Sequence, residues 1–279
     1  MKQLVQAELF KLRKRPMTWI LGGLAAALIA AVYALLVLAV QAADAAGNAS
    51  TEFRASLAFV NTVTFGDSLA CRIASLMAVI LVGVSTGSEY RWRTVVTTSA
   101  WTGDPRRVLF ARAAAHGLVA LCWLALAYGA VIASSFMANA ARGSLTANEV
   151  GGWVLADAAL AWIRSAPVVL AYVALATCVA TWSRSAAAGV AIPLAILFLE
   201  PLGAGVLREG GGLLQTVAGF TLSGNADALL AADGPVQGSQ YGLPSGLPSA
   251  WRGAAALLLF SAMTAWLALR FVAHRDVTE

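Results

Sequence analysis

From Met17 to Val40 the chain runs for 24 residues without one Asp, Glu, Lys or Arg. A bilayer core of about 30 Å is crossed by about 20 helical residues, and in lipid a lone segment must bond its own backbone groups, which only a helix does. Five further apolar runs follow, at Asp67–Gly87, Ala113–Met137, Arg164–Trp182, Ala186–Leu199 and Trp251–Val272. Only 12% of residues are charged and 59% are hydrophobic, whereas a soluble domain is about 25% charged. The expected fold is an all-α integral membrane protein with six transmembrane helices, a single domain over residues 1–279.

The segment before the first span is different in kind. Over residues 2–15, Val5, Leu9 and Leu12 share one helical face, while Lys2, Lys11, Arg13, Lys14 and Arg15 occupy the rest. This predicts an amphipathic helix in the membrane interface, with its lysines near anionic lipid. Pro16 breaks that helix and redirects the chain. Gln41-Ala42-Ala43-Asp44-Ala45 resembles a signal-peptide cleavage site. The apolar run before it exceeds the ~7–15 residues of a signal core, so it reads as the first span.

Charge sets the orientation. With the spans as placed, 13 of the 19 Lys and Arg fall on one side, which marks that side as cytoplasmic. Both termini are then cytoplasmic, in a multi-pass protein of the cell membrane. The net charge of +5 does not point to nucleic acid, because the basic residues sit at span ends. Ser183-Arg184-Ser185 reads as a tight cytoplasmic turn. Residues 201–250 read as an extracellular segment with short external helices, around Leu213–Leu222 and Ala226–Ala232, ahead of the last span.

Several chemistries have no residues to carry them. There is no G-x-x-x-x-G-K-[ST] and no Lys beyond Lys14, so no phosphate-gripping loop is present. The two histidines, His116 and His274, lie on different spans, which leaves no multi-histidine metal site. His116 is read as an interfacial polar residue. Cys71, Cys122 and Cys178 sit inside apolar runs and read as packing residues. The chain is therefore not expected to be an enzyme or to hold a metal or cofactor. Arg72 and Glu200 lie at similar depth near the outer leaflet with opposite sign, which predicts an outer charge pair acting as gate or packing lock. Gly83-x-x-x-Gly87 permits close helix approach, by default within one subunit.

The polar stretch over residues 88–112 is the richest in chemistry. It carries five of the nineteen Lys and Arg. Glu89, Tyr90, Arg91, Trp92, Arg93 and Thr94 precede a Thr97-Thr98 pair, and Pro105, Arg106 and Arg107 follow. Charge alone makes this a positive-inside anchor, but the mixture of carboxylate, aromatics and hydroxyls suits short helices that meet a partner.

Two segments carry a resemblance. Glu8-Leu9-Phe10-Lys11-Leu12-Arg13 before the first span resembles the amino-terminal elbow of ABC transporter permeases of the type 2 exporter class. Those permeases often show Glu-Tyr-Arg-x-Gly-Thr, a Thr-Thr pair, then Pro-Arg-Arg and a Lys opening the third span. The matching residues are Glu89, Tyr90, Arg91, Thr94, Thr97, Thr98, Pro105, Arg106 and Arg107; Arg93 stands where Gly is common and Arg112 where Lys is common. The resemblance implies a permease without its own ATPase. Its partners would be two separate cytoplasmic ATP-binding subunits, which hold ATP and Mg, and a second permease copy or a homologous permease. Residues 88–112 would be the coupling loop to the ATPase. A membrane scaffold or sensor using the same loop is the alternative reading, and a stand-alone ion-coupled carrier a third. An Ala- and Leu-lined path would suit a lipid, an amphipathic peptide or an apolar drug.

Overall fold

A computed structural model describes residues 1–45, 59–92, 104–141, 153–210, 212–231 and 249–274. Among these residues there are helices and no strands: α1 (Lys2–Lys14), α2 (Pro16–Ala45), α3 (Phe59–Arg91), α4 (Pro105–Ala141), α5 (Trp153–Ser183), α6 (Ala186–Glu209), α7 (Gly212–Ala218), α8 (Leu222–Leu230) and α9 (Ala250–His274). Six of them, α2, α3, α4, α5, α6 and α9, are long and apolar enough to cross a membrane. The chain is an all-α, multi-pass membrane protein.

The six spans are not equivalent. In α3 and α5, 72% and 67% of the apolar stretch is buried inside the protein, against 22% in α2 and 17% in both α6 and α9. The bundle is thus built around a central α3–α5 pair. Helices α2, α4 and α6 pack on α3, and α4, α6 and α9 pack on α5. The peripheral helices turn large apolar side chains outward, among them Leu35, Phe198, Leu202, Leu259 and Trp266. Such faces match hydrocarbon as solvent.

Small residues let the central helices approach. A Cβ on Gly83 would lie 2.7 Å from the backbone of Gly189, and one on Gly189 would lie 2.7 Å from Ala180 Cβ. A Cβ on Gly87 would run into Ala186. The Gly-x-x-x-Gly step of α3 is therefore filled by α6 of the same chain, as the default reading has it.

Helices run further than hydropathy implies. Helix α3 begins at Phe59 rather than near Asp67, and α5 begins at Trp153 rather than near Arg164. Helix α6 continues through Pro201 to Glu209 instead of ending near Leu199. A proline removes one hydrogen bond and bends a helix, but a chain leaving the bilayer keeps its backbone bonded most simply by staying helical. The turn between α5 and α6 is as tight as read: Arg184 adopts φ 53°, and Ser185 caps α6 by accepting from the Ala188 amide at 3.4 Å.

Two short helices, α7 and α8, follow α6, close to the external helices read from the sequence. Thr221 separates them and caps α8, its Oγ1 accepting from the Gly224 amide at 3.0 Å. Helix α8 packs on α5, α6 and α9, and Leu222, Ser223, Gly224, Asn225, Ala226, Ala228 and Leu229 are all buried. Arg72 and Glu200 both hold this helix and are not paired with each other. Arg72 Nη2 lies 3.3 Å from Asp227 Oδ1, Arg208 Nη2 lies 3.8 Å from Asp227 Oδ2, and Glu200 Oε1 accepts from the Leu222 amide. The outer charge pair is thus corrected. A helix amino terminus supplies donors to Glu200, and Asp227 supplies Arg72 with a nearer carboxylate. Burial pushes the Asp227 carboxyl above the ordinary range, while Arg72 and then Arg208 pull it back.

Candidate functional site

The stretch read as a loop over residues 88–112 is mostly helix at its two ends. Helix α3 extends to Arg91, and α4 begins at Pro105. The local sequence explains the second start. Asp104 Oδ1 accepts from the Arg106 amide at 3.0 Å, and Pro105 occupies the first helical position, where its missing N–H costs nothing. Arg107 Nε closes on Asp104 Oδ2 at 3.1 Å.

The residues expected to meet a partner divide into two groups. Arg91 and Trp92 are exposed at the end of α3, Trp92 at 68%, and Arg106 and Arg107 are exposed at the start of α4. Pro105 is half-buried. Arg93 and Thr94, with Thr97 and Thr98, lie outside the described residues. Tyr90 is half-buried beside Thr181 and Arg184 at the α5–α6 turn. Glu89 does not belong to an exposed surface at all: it is 5% exposed.

Glu89 is the centre of a buried ionic cluster that sequence reasoning missed. Its Oε2 pairs with Arg112 Nη2 of α4, and its Oε1 lies 3.6 Å from Arg15 Nη2, in the link between α1 and α2. Arg112, 2% exposed, also faces Glu8 of α1, with Nε 3.9 Å from Oε2. Glu8 Oε1 in turn accepts from Lys11 Nζ at 2.7 Å. The cluster joins α1, the α1–α2 link, α3 and α4. One turn further along α4, His116 is buried inside the protein; its Nε2 lies 2.5 Å from Ser85 Oγ of α3. A charge placed out of water is costly unless paired, so these contacts fix the geometry of all four segments. The available signal was Glu8, the one acid in a basic helix, four residues from the core residue Leu12 and on its face.

Helix α1 packs on α4 and touches α2. Arg15 is extended (φ −81°, ψ 123°), which ends α1, and Pro16 then opens α2. Trp19 Nε1 donates to the Arg13 carbonyl at 2.9 Å across that bend.

Taken together, α1, the end of α3 and the start of α4 form one braced unit. It presents an exposed Arg/Trp tip above a buried ionic clamp. Comparison with protein-family models and with curated proteins gives no match to this chain.

Proposed function

We propose that the chain is the membrane-spanning subunit of an ATP-driven exporter of the type 2 ABC class, working as a pair of permeases with separate cytoplasmic ATP-binding subunits. The observation that carries this reading is the reach and bracing of the α3–α4 tip. Helices α3 and α4 have 33 and 37 residues, or about 50 and about 55 Å of helix against a core of about 30 Å. Their adjoining ends therefore have length to stand clear of the hydrocarbon. They expose Arg91, Trp92, Arg106 and Arg107, residue types that anchor protein interfaces. Force applied to this tip acts on α3, the most buried of the spans, and the Glu89–Arg112 clamp passes it to α1. The same features suit a lever for a chain that carries no nucleotide motif of its own.

In this reading the tip and both termini face the cytoplasm, ATP and Mg sit on the partner, and Glu89 is a positioning residue for the tip rather than a docking contact. The test is a mild-detergent pull-down from native membranes, with co-purifying chains identified and assayed for ATP hydrolysis. The expected result is an ATP-binding protein retained by the wild type and lost by Trp92→Ala/Arg106→Glu/Arg107→Glu. That variant keeps Glu8, Arg15, Glu89 and Arg112 and should insert normally. An inserted wild type that brings no ATPase would sink the proposal.

A further inference from the structure

We propose that the outward face of α1 is a binding surface for anionic phospholipid headgroups, independent of whether the chain exports anything. The argument starts from depth. One residue, Arg15, separates α1 from the first span, so α1 is held at the end of a hydrophobic helix, at headgroup level. The exposed Trp19, one turn into that span, suits the same layer.

The second step is which face is free. Glu8 and Leu12 are the buried residues of α1, with Leu4, Val5 and Leu9 half-buried beside them. At about 100° per residue, Phe10 falls on the opposite side, flanked by Lys2, Arg13 and Lys14. All four are exposed, Phe10 at 61%, and Lys14 Nζ stands 5.5 Å from the Phe10 ring centre. This is an aromatic side chain ringed by cations.

The third step is charge balance. Glu8 is the one carboxylate of α1. It points inward and is taken by Lys11 and Arg112, so nothing acidic on the helix offsets Lys2, Arg13 and Lys14. Cations near an anionic bilayer surface each add to binding, and a buried aromatic adds apolar area. A lipid phosphate with a net negative headgroup is the chemistry that satisfies both. Because the other face of α1 is clamped to Glu89 and Arg112, lipid bound here also steadies the base of the α3–α4 tip.

The test is native mass spectrometry of the purified full chain, offered equal phosphatidylglycerol and phosphatidylcholine of the same acyl chains. The wild type should retain phosphatidylglycerol preferentially. Lys2→Gln/Arg13→Gln/Lys14→Gln should lower that preference on the order of tenfold or more, and the charge-preserving Lys2→Arg/Arg13→Lys/Lys14→Arg should keep it. Neither variant touches Glu8, Lys11, Leu12 or Arg15, and Trp19 bonds only the backbone of residue 13. If the triple Gln variant does not purify, Lys14→Gln alone should lower the preference several-fold. Equal retention of the two lipids by the wild type overturns the proposal, as does an unchanged preference in the Gln variants. Capture of a soluble acidic protein in place of phosphatidylglycerol overturns it as well.

Discussion

Arg112 illustrates how far burial changes the worth of a charge. It pairs with Glu89 and faces Glu8 while almost wholly inside the protein. Removing one partner of such a pair leaves an uncompensated buried charge, at a cost of about 3–5 kcal/mol. Arg112→Ala should therefore lower thermal stability sharply in detergent, and a double-mutant cycle with Glu89→Ala should show strong coupling. Arg107→Ala breaks an exposed pair with Asp104 and should cost only about 0–1 kcal/mol. Equal losses in the two single variants would contradict this assignment. Asp227 supplies a second check, by pH. Its folded pKa is raised by burial, so the folded state holds the proton more tightly than the unfolded chain does. Ionising Asp227 then costs stability as pH rises from the ordinary carboxylate pKa to the raised one. Asp227→Asn should remove that component of the pH profile and leave neutral-pH melting no lower, whereas Arg72→Gln should lower it. A neutral-pH melting temperature that falls for Asp227→Asn as far as for Arg72→Gln would count against it. Sequence reading found Arg72, Glu89 and Glu200 as the residues to watch. Matched depth alone pairs Arg72 with Glu200, and a polar stretch makes Glu89 partner-facing, until α8 and α4 are placed beside them.

The helices themselves were more legible than their ends. Six apolar runs match six spans, but the starts come from local chemistry that hydropathy does not register: Asp104-Pro105 opens α4 ahead of Ala113, Ser185 opens α6, and Thr221 opens α8 within the stretch read as one helix over Leu213–Leu222. The ends were not legible, because a fall in hydropathy marks where lipid stops and not where the backbone ceases to be helical. That is why α3 and α6 overshoot their expected limits. The contact between α3 and α6 depends on absent side chains, and it can be tested by adding them. Gly83→Val and Gly87→Val place atoms where Gly189 and Ala186 of α6 already stand, and each should destabilise by at least the ~1–3 kcal/mol typical of overpacking. Gly23→Ala meets nothing within 4 Å and should be neutral or stabilise by about 0.4–1 kcal/mol through the unfolded chain. Thermal unfolding of the three variants in one detergent separates the cases; tolerance of valine at both seam positions would contradict the seam.

The molecule has two chemically distinct ends. At one, α1 is clamped to the close of α3 and the opening of α4 through Glu8, Arg15, Glu89 and Arg112. At the other, α8 is pinned between Arg72, Arg208 and Glu200 and packs beside the start of α9. Six crossings by α2, α3, α4, α5, α6 and α9 put these two ends on opposite sides of a bilayer. The contacts demand the same, since residues 8, 89 and 112 meet at one level and residues 72, 200 and 227 at another. A single cysteine placed on a background lacking Cys71, Cys122 and Cys178 reports this directly. In sealed vesicles of one orientation, Gln6→Cys and Arg91→Cys should react with an impermeant maleimide from the same side. Leu213→Cys, exposed on α7, should react only from the other. In the proposed orientation, with the first two positions cytoplasmic, they should label in right-side-out vesicles only after lysis. Labelling of Gln6→Cys and Leu213→Cys from one side would mean that a helix counted as a span does not cross. The α1 surface would then lose its leaflet, and the α3–α4 tip its access to any cytoplasmic partner.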